Sequence, residues 1–244
     1  MLEFVTNRFL FFSRKEVWFY NGESLKPATY TVFSAARKPP SDLNSTEIEK
    51  YFTSVIDLTK DEPELFNAVH PTFRYDIRSA DKKGVQKITS FLPTSADCVK
   101  LAGDYLAFAK EKGLPPLNLQ RMLAIQKKGC LLFTRALYNG VEVATHIYIS
   151  DGNTVSLTSS FHNSAFTDAK VRSEANKFLH WKDILDFKQA GLKLYDFGGI
   201  NPQKLPGVSK FKQSFGGETT ENFRFIRSSH LVREAVNFIK KTRS

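Results

Sequence analysis

The residues best placed to do chemistry lie in one stretch, LKLYDFGGINPQKLPGVSKFKQSFGGE, residues 192–218. A short β-type run (Leu192, Leu194, Tyr195, Phe197) carries Asp196 and stops at Gly198-Gly199, where the backbone can take a positive φ or let a ligand come close. Two breakers follow, Asn201-Pro202 with Lys204 just after it, then Leu205-Pro206-Gly207. Val208 to Phe215 then has room for two helical turns carrying Lys210, Phe211 and Lys212, before Gly216-Gly217. Such a set can floor a cleft: the carboxylate positions or deprotonates an amine, and the lysines Lys204 and Lys210 hold phosphates. It can equally be a two-glycine bend, with Asp196 capping the glycine amides and the lysines solvated. Spacing alone leaves both open.

Two further sets of residues qualify. Arg74, Arg78 and Lys82 fall at i, i+4 and i+8 of a helical pattern, so they form a basic ridge that is either a solvated face or a phosphate-contacting one. Ser159, Ser160, His162 and Asn163 sit where a strand runs out into a loop, with His162 a candidate base or a bystander. Nothing reads as a Ser-His-Asp order, an HExxH helix, a Walker loop or a Cys/His metal set, so no metal is expected. Cys98 and Cys130 stand far apart and outside any ligand spacing, which predicts a reduced, cytoplasmic protein.

The elements that must position these groups follow from patterning. The chain has 244 residues, 41% hydrophobic and 13% aromatic, enough for a real core. Lys and Arg number 35 against 25 Asp and Glu, and a net charge of +10 favours a polyanionic partner: nucleic acid, a nucleotide-linked substrate or an anionic membrane face. The apolar N-terminus is interrupted by charge every few residues and reads as strands over 2–6, 9–13 and 16–20, not as a targeting segment. Another strand is expected over 28–35, a break at 37–41, a short helix opening at Ser45-Thr46-Glu47 and running to about Thr53, and a brief strand over 55–58. From Pro63 one helix is expected, its buried stripe being Phe66, Val69, Phe73, Ile77 and Ala80.

A strand over 85–92, helices over 95–112 and 117–127, and three strands (130–138, 141–150, 154–161) follow, with Asn139-Gly140 and Asp151-Gly152-Asn153 as hairpin turns. A long helix over 172–190, with Phe178 and Trp181 in the core, leads into the glycine-ended strand. A strand over 221–227 and an amphipathic helix from Ser229 close the chain. The fold class is α/β (α+β), with a partly antiparallel sheet.

YDFGGI followed some ten residues later by FKQSFGGE resembles the signature of the Fem family, and the helix-then-strand approach EANKFLHWKDILDFKQAGLKLYDFGGI is similar to that family's. HPTFRYDIRSADKKGV (70–85) resembles its R-x-x-I-R-x-A-x-K-x-G-V segment. The FemABX-like proteins are peptidoglycan-bridge aminoacyltransferases, which add amino acids from aminoacyl-tRNA to peptidoglycan precursors and are built from GNAT-type acyltransferase folds. The resemblance therefore implies a GNAT-like mixed sheet flanked by helices over 67–220, behind a reduced N-terminal β-rich subdomain (1–66), with residues 221–244 packing back on the core.

It further implies a cation at Lys212 facing the acyl-donor end or the developing oxyanion, with Phe211 packed beside it. Gly198, Gly199, Ser160 and Asn163 would line the acyl group, Arg74, Arg78, Lys204 and Lys210 would hold phosphates, and Asp196 or His162 would act on the amine. Acetyl-CoA members of the superfamily cradle pyrophosphate on a glycine-rich turn at a helix start. No glycine occurs between Gly152 and Gly191, where that turn should fall. The donor implied is aminoacyl-tRNA, with no bound cofactor, and the acceptor an amine of a cell-envelope precursor, sugar or small metabolite. The protein would be cytoplasmic or peripheral to the inner face of the membrane. Two other readings stand: an acyl-CoA-dependent N-acyltransferase acting on an amino sugar or other amine in surface polysaccharide biosynthesis, and a non-catalytic RNA-binding module.

Overall fold

The computed structural model describes residues 1–9, 12–22, 30–39 and 45–229, together with Val232 and Glu234. The chain divides into two compact units, Met1–Phe52 with Glu221–Ser244, and Thr53–Thr220.

In the first unit, β1 (Leu2–Phe9) pairs antiparallel with β2 (Phe12–Trp18), and β2 runs parallel to β3 (Tyr30–Ala36). β3 in turn pairs antiparallel with β10 (Glu218–Ser228). Val17, Phe33 and Phe225 are fully buried, and the Phe33 and Phe225 rings stack at 4.3 Å with Tyr20 edge-on to both. The stretch expected as three short strands thus forms two longer ones. Residues 10–11, 28–29 and 40–41, and all of the expected C-terminal helix apart from Ser229, Val232 and Glu234, lie outside the described residues.

The helix expected from Ser45 is a strand, β4 (Ser45–Asp57), which begins in the first unit and ends in the second. Ser-Thr-Glu imitates a helix start, but Ile48, Tyr51, Phe52, Thr53, Val55 and Ile56 supply the β-branched and aromatic side chains that suit a paired strand.

The sheet of the second unit has the order β4-β9-β8-β7-β6-β5. β5 (Gln86–Ser90), β6 (Leu131–Tyr138), β7 (Val141–Ser150) and β8 (Thr154–His162) are successive antiparallel neighbours. β9 (Leu194–Ile200) lies parallel to β8. Asn139 (φ 51°) and Gly140 (φ 77°) make the tight β6–β7 hairpin, where both central residues must be left-handed.

Helices cover both faces. Adjacent residues of β8 show this: Ser160 reaches Asn176 of α5 (Ala169–Gln189), while Phe161 packs edge-on against Tyr105 of α3 (Ser95–Lys112) at 5.2 Å. α4 (Leu119–Gln126) lies beside α3. The single helix expected from Pro63 is two, α1 (Glu62–Ala68) and α2 (Pro71–Lys82). Pro71 has no N–H to give and its ring crowds the preceding turn, so the chain breaks at Val69-His70 and restarts with Pro71 as the first helical residue. Tyr148, Phe187, Tyr195, Phe197 and Phe215, all at most 1% exposed, form the centre of the core under α5.

A candidate acyl-transfer cleft where two parallel strands part

β8 and β9 pair at only three positions, Thr154↔Leu194, Val155↔Tyr195 and Ser156↔Asp196. Beyond them the ladder stops and each strand makes other bonds. β8 shifts register against β7 between Leu157 and Ser159, and the Thr158 hydroxyl donates to the Ile147 carbonyl at 3.0 Å. On β9, the N–H of Gly198 donates to the carboxylate of its own neighbour Asp196 at 2.8 Å. Gly198 holds φ at +73°, and a Cβ there would stand 3.0 Å from the Leu157 carbonyl, so both backbone angle and space call for glycine.

α6 (Pro206–Gln213) delivers the ammonium group to this gap. Pro206 begins the helix, and Phe211 and Phe215 anchor it on Phe73 of α2 and His180 of α5, with centroids between 5.2 and 5.5 Å. Lys212, half-buried, donates from Nζ to the Gly199 carbonyl at 2.8 Å. Burial pulls its pKa below that of an ordinary lysine, and the Asp196 charge partly offsets the pull. Asp196 itself is 1% exposed. Five of the sequence candidates, Asp196, Gly198, Gly199, Phe211 and Lys212, are therefore brought together.

The others are elsewhere. Ser160 is exposed on β8, its hydroxyl 3.4 Å from Asn176 Oδ1. His162 is six residues past Ser156, roughly 20 Å along the strand. It lies against Phe108 and 3.8 Å from Glu111 of α3, and burial lowers its pKa. Asn163 ties down the loop, donating to the Val143 and Glu142 carbonyls and accepting from Ala165 N–H. Lys204 and Lys210 are exposed, on the loop before α6 and on α6 itself. Arg74 and Arg78 lie along α2, Arg74 donating to the Asn67 carbonyl and side-chain oxygens and Arg78 set 5.0 Å over the Phe66 ring. The start of α5 is closed by Asp168, whose carboxylate accepts from the N–H groups of Lys170 and Val171, each at 3.0 Å.

Directly under the gap runs a buried polar chain that the sequence reading missed. His180 Nδ1 bonds the Tyr195 hydroxyl at 2.9 Å, Tyr195 bonds Tyr148 at 2.9 Å, and Tyr148 donates to Asp183 at 2.6 Å. Asp183 also takes Thr134 at 2.9 Å and His146 Nδ1 at 2.8 Å, and its other oxygen pairs with Lys87 at 2.7 Å. His146 Nε2 lies 2.9 Å from Asn176 Oδ1, which brings the chain out towards Ser160. The His146 and His180 rings stack at 4.0 Å.

Burial, followed by His146 and Lys212, drives the His180 pKa well below its usual value. Burial raises the Asp183 carboxyl, but Lys87 and His146 pull it back below its ordinary value. The available signal was slight: His180 and Asp183 stand three apart on a helix, and His146 and Tyr148 two apart on a strand.

These features define a GNAT-like fold, in agreement with the class expected from the two motifs. Among solved structures the chain is similar to FemX, with 12% identity and a TM-score of 0.61 over 84% of this chain and 68% of that one. It is also similar to the C-terminal domain of a putative lysylphosphatidylglycerol synthetase from Agrobacterium fabrum (12%, 0.56, 86% and 71%). A third is L-PGS from Bacillus licheniformis (11%, 0.54, 82% and 68%). At such identities the likeness is one of fold. No family model and no curated protein sequence matches the chain.

Proposed function

We propose that the protein is an N-acyltransferase that moves an aminoacyl group from aminoacyl-tRNA to an amine of a cell-envelope precursor, sugar or small metabolite. The observation that carries this reading is the Lys212 ammonium, held half-buried at the parting of β8 and β9 beside Gly198-Gly199 and Asp196. In the reaction the amine lone pair attacks the ester carbonyl and a C–N bond forms. The C–O bond to the ribose breaks, and the amine proton ends on the departing hydroxyl. Lys212 has three N–H donors and gives one to Gly199, which leaves two for the oxyanion of the tetrahedral intermediate. Asp196 acts as a positioning residue: it fixes the Gly198 amide, and its charge opposes the burial that pulls the Lys212 pKa down.

For the donor, the start of α5 supports this reading. Acyl-CoA would need those amides for its pyrophosphate, but Asp168 already takes two of them and adds a negative charge where two more would have to sit. The similarity to FemX points the same way.

The test is transfer of a labelled amino acid from charged tRNA to a panel of amines, run beside thermal melts with charged tRNA and with acetyl-CoA, since a ligand of the native state raises the midpoint. Charged tRNA should stabilise and support transfer. Stabilisation by acetyl-CoA alone would replace this reading with the acyl-CoA one.

A further inference from the structure

A basic, open concavity of about 810 Å³ lies along α2, its lining including Arg74, Tyr75, Arg78, Lys82 and Lys83 and no acidic residue. Arg74, Arg78 and Lys82 repeat every four residues, so their Cα atoms step by about 6 Å along the helix and span about 12 Å. That step is of the order of the spacing between successive phosphates on a nucleic-acid strand. The two arginines are already aimed, Arg74 by Asn67 and Arg78 by the face of Phe66. Ordering them on binding therefore costs less than ordering loose side chains. Tyr75 stands between them, itself 67% exposed. Phe73, at the start of the same helix, touches Phe211 of α6, the helix that carries Lys212, and Phe215 just past its end.

We infer that this groove seats the ribose-phosphate backbone of an RNA strand, with Tyr75 stacking on a base and the strand directed along α2 towards the Lys212 cleft. The inference rests on the aminoacyl-tRNA reading for the source of its ligand. A row of evenly spaced cations with one exposed ring fits a strand of regularly spaced phosphates and bases. An anionic lipid surface would draw the same cations but offers neither phosphates at a fixed spacing along a strand nor a base for the ring.

The experiment is fluorescence anisotropy with a labelled, uncharged tRNA transcript, titrated at several salt concentrations. The parallel arms use vesicles of equal parts phosphatidylglycerol and phosphatidylcholine, and inorganic phosphate as competitor. Wild type should bind the RNA with a steep salt dependence that inorganic phosphate barely competes. Arg78→Gln/Lys82→Gln should weaken binding about tenfold or more and flatten the log–log salt slope by about 2. Tyr75→Ala should weaken it about fivefold to tenfold with the slope unchanged. If the double variant melts early through loss of the Arg78–Phe66 contact, Lys82→Glu alone carries the test, since that side chain is exposed.

RNA binding that is unchanged in these variants overturns the groove and leaves the aminoacyl-tRNA reading standing. Binding to the vesicles but not to RNA overturns it in favour of a membrane surface. Groove-dependent RNA binding without transfer from charged tRNA supports the groove and removes the proposed activity instead.

Discussion

Lys212 is asked to do two opposed things: stay charged, and stay out of bulk water. Burial shifts its pKa downward, so its ammonium should be lost at a lower pH than that of a surface lysine. The alkaline limb of kcat should therefore fall below the usual lysine value of about 10.4. Lys212→Met keeps an unbranched stem of similar length and deletes the ammonium together with its bond to Gly199. We predict that it lowers kcat by about 10²–10³ with little change in melting temperature, because the term removed is the one that meets the oxyanion. A rate within twofold of wild type would take Lys212 out of the reaction.

At the scale of elements, α5 bears most of the load. Its exposed first turn is closed by Asp168, and its inward face carries Glu174, Lys177, His180 and Asp183 among Ala175, Phe178, Leu179, Ile184 and Phe187. Asp168→Ala should cost about 1 kcal/mol, read from denaturant melts, since it uncovers two amide donors at the helix start. The same variant should not create acetyl-CoA binding, because the turn still lacks glycine.

α5 also explains what the sequence could reveal. Strands β6–β8, their hairpin and the glycine-ended β9 were legible because turn residues and alternation agree there. The break between α1 and α2 was not, because an apolar stripe continues through it while Pro71 acts on the backbone. The network under α5 was hidden because its members come from four strands and a helix. Within α5, buried polar residues blur the amphipathic pattern that periodicity reads. In the cleft, glycines, carboxylate and lysine could be picked out by type. Only the fold separates them from His162 and Asn163, which stand at the far end of β8 and in the loop after it.

For the whole molecule the pH profile of stability follows from the buried histidine. His180 is held neutral in the folded state, with its pKa far below that of the unfolded chain. Between the unfolded value of about 6.5 and the lower folded one, the unfolded state binds the proton and the folded state does not. The contribution to stability is therefore present above about 6.5 and lost as the pH falls, by up to about 1.4 kcal/mol per pH unit for this one group. His180→Asn should flatten that acid slope in urea melts taken between pH 7 and pH 5. A slope equal to wild type would assign it to other groups, with His162 the next candidate because burial lowers it too.

The three-rung seam between β8 and β9 has a mechanical consequence. A ladder that ends after Ser156 and Asp196 leaves Phe197–Gly199 tied into the sheet on the β4 side alone, so the β8 side is where it can open without surrendering a rung. Beneath it lie the stacked imidazoles and linked phenols, and we predict that a bulkier acceptor is admitted by a tilt of α6 against its phenylalanines. Amide exchange should register this directly, faster at Phe197 and Gly199 than at Val155 and Tyr195, and slowed once a substrate wedges the opening.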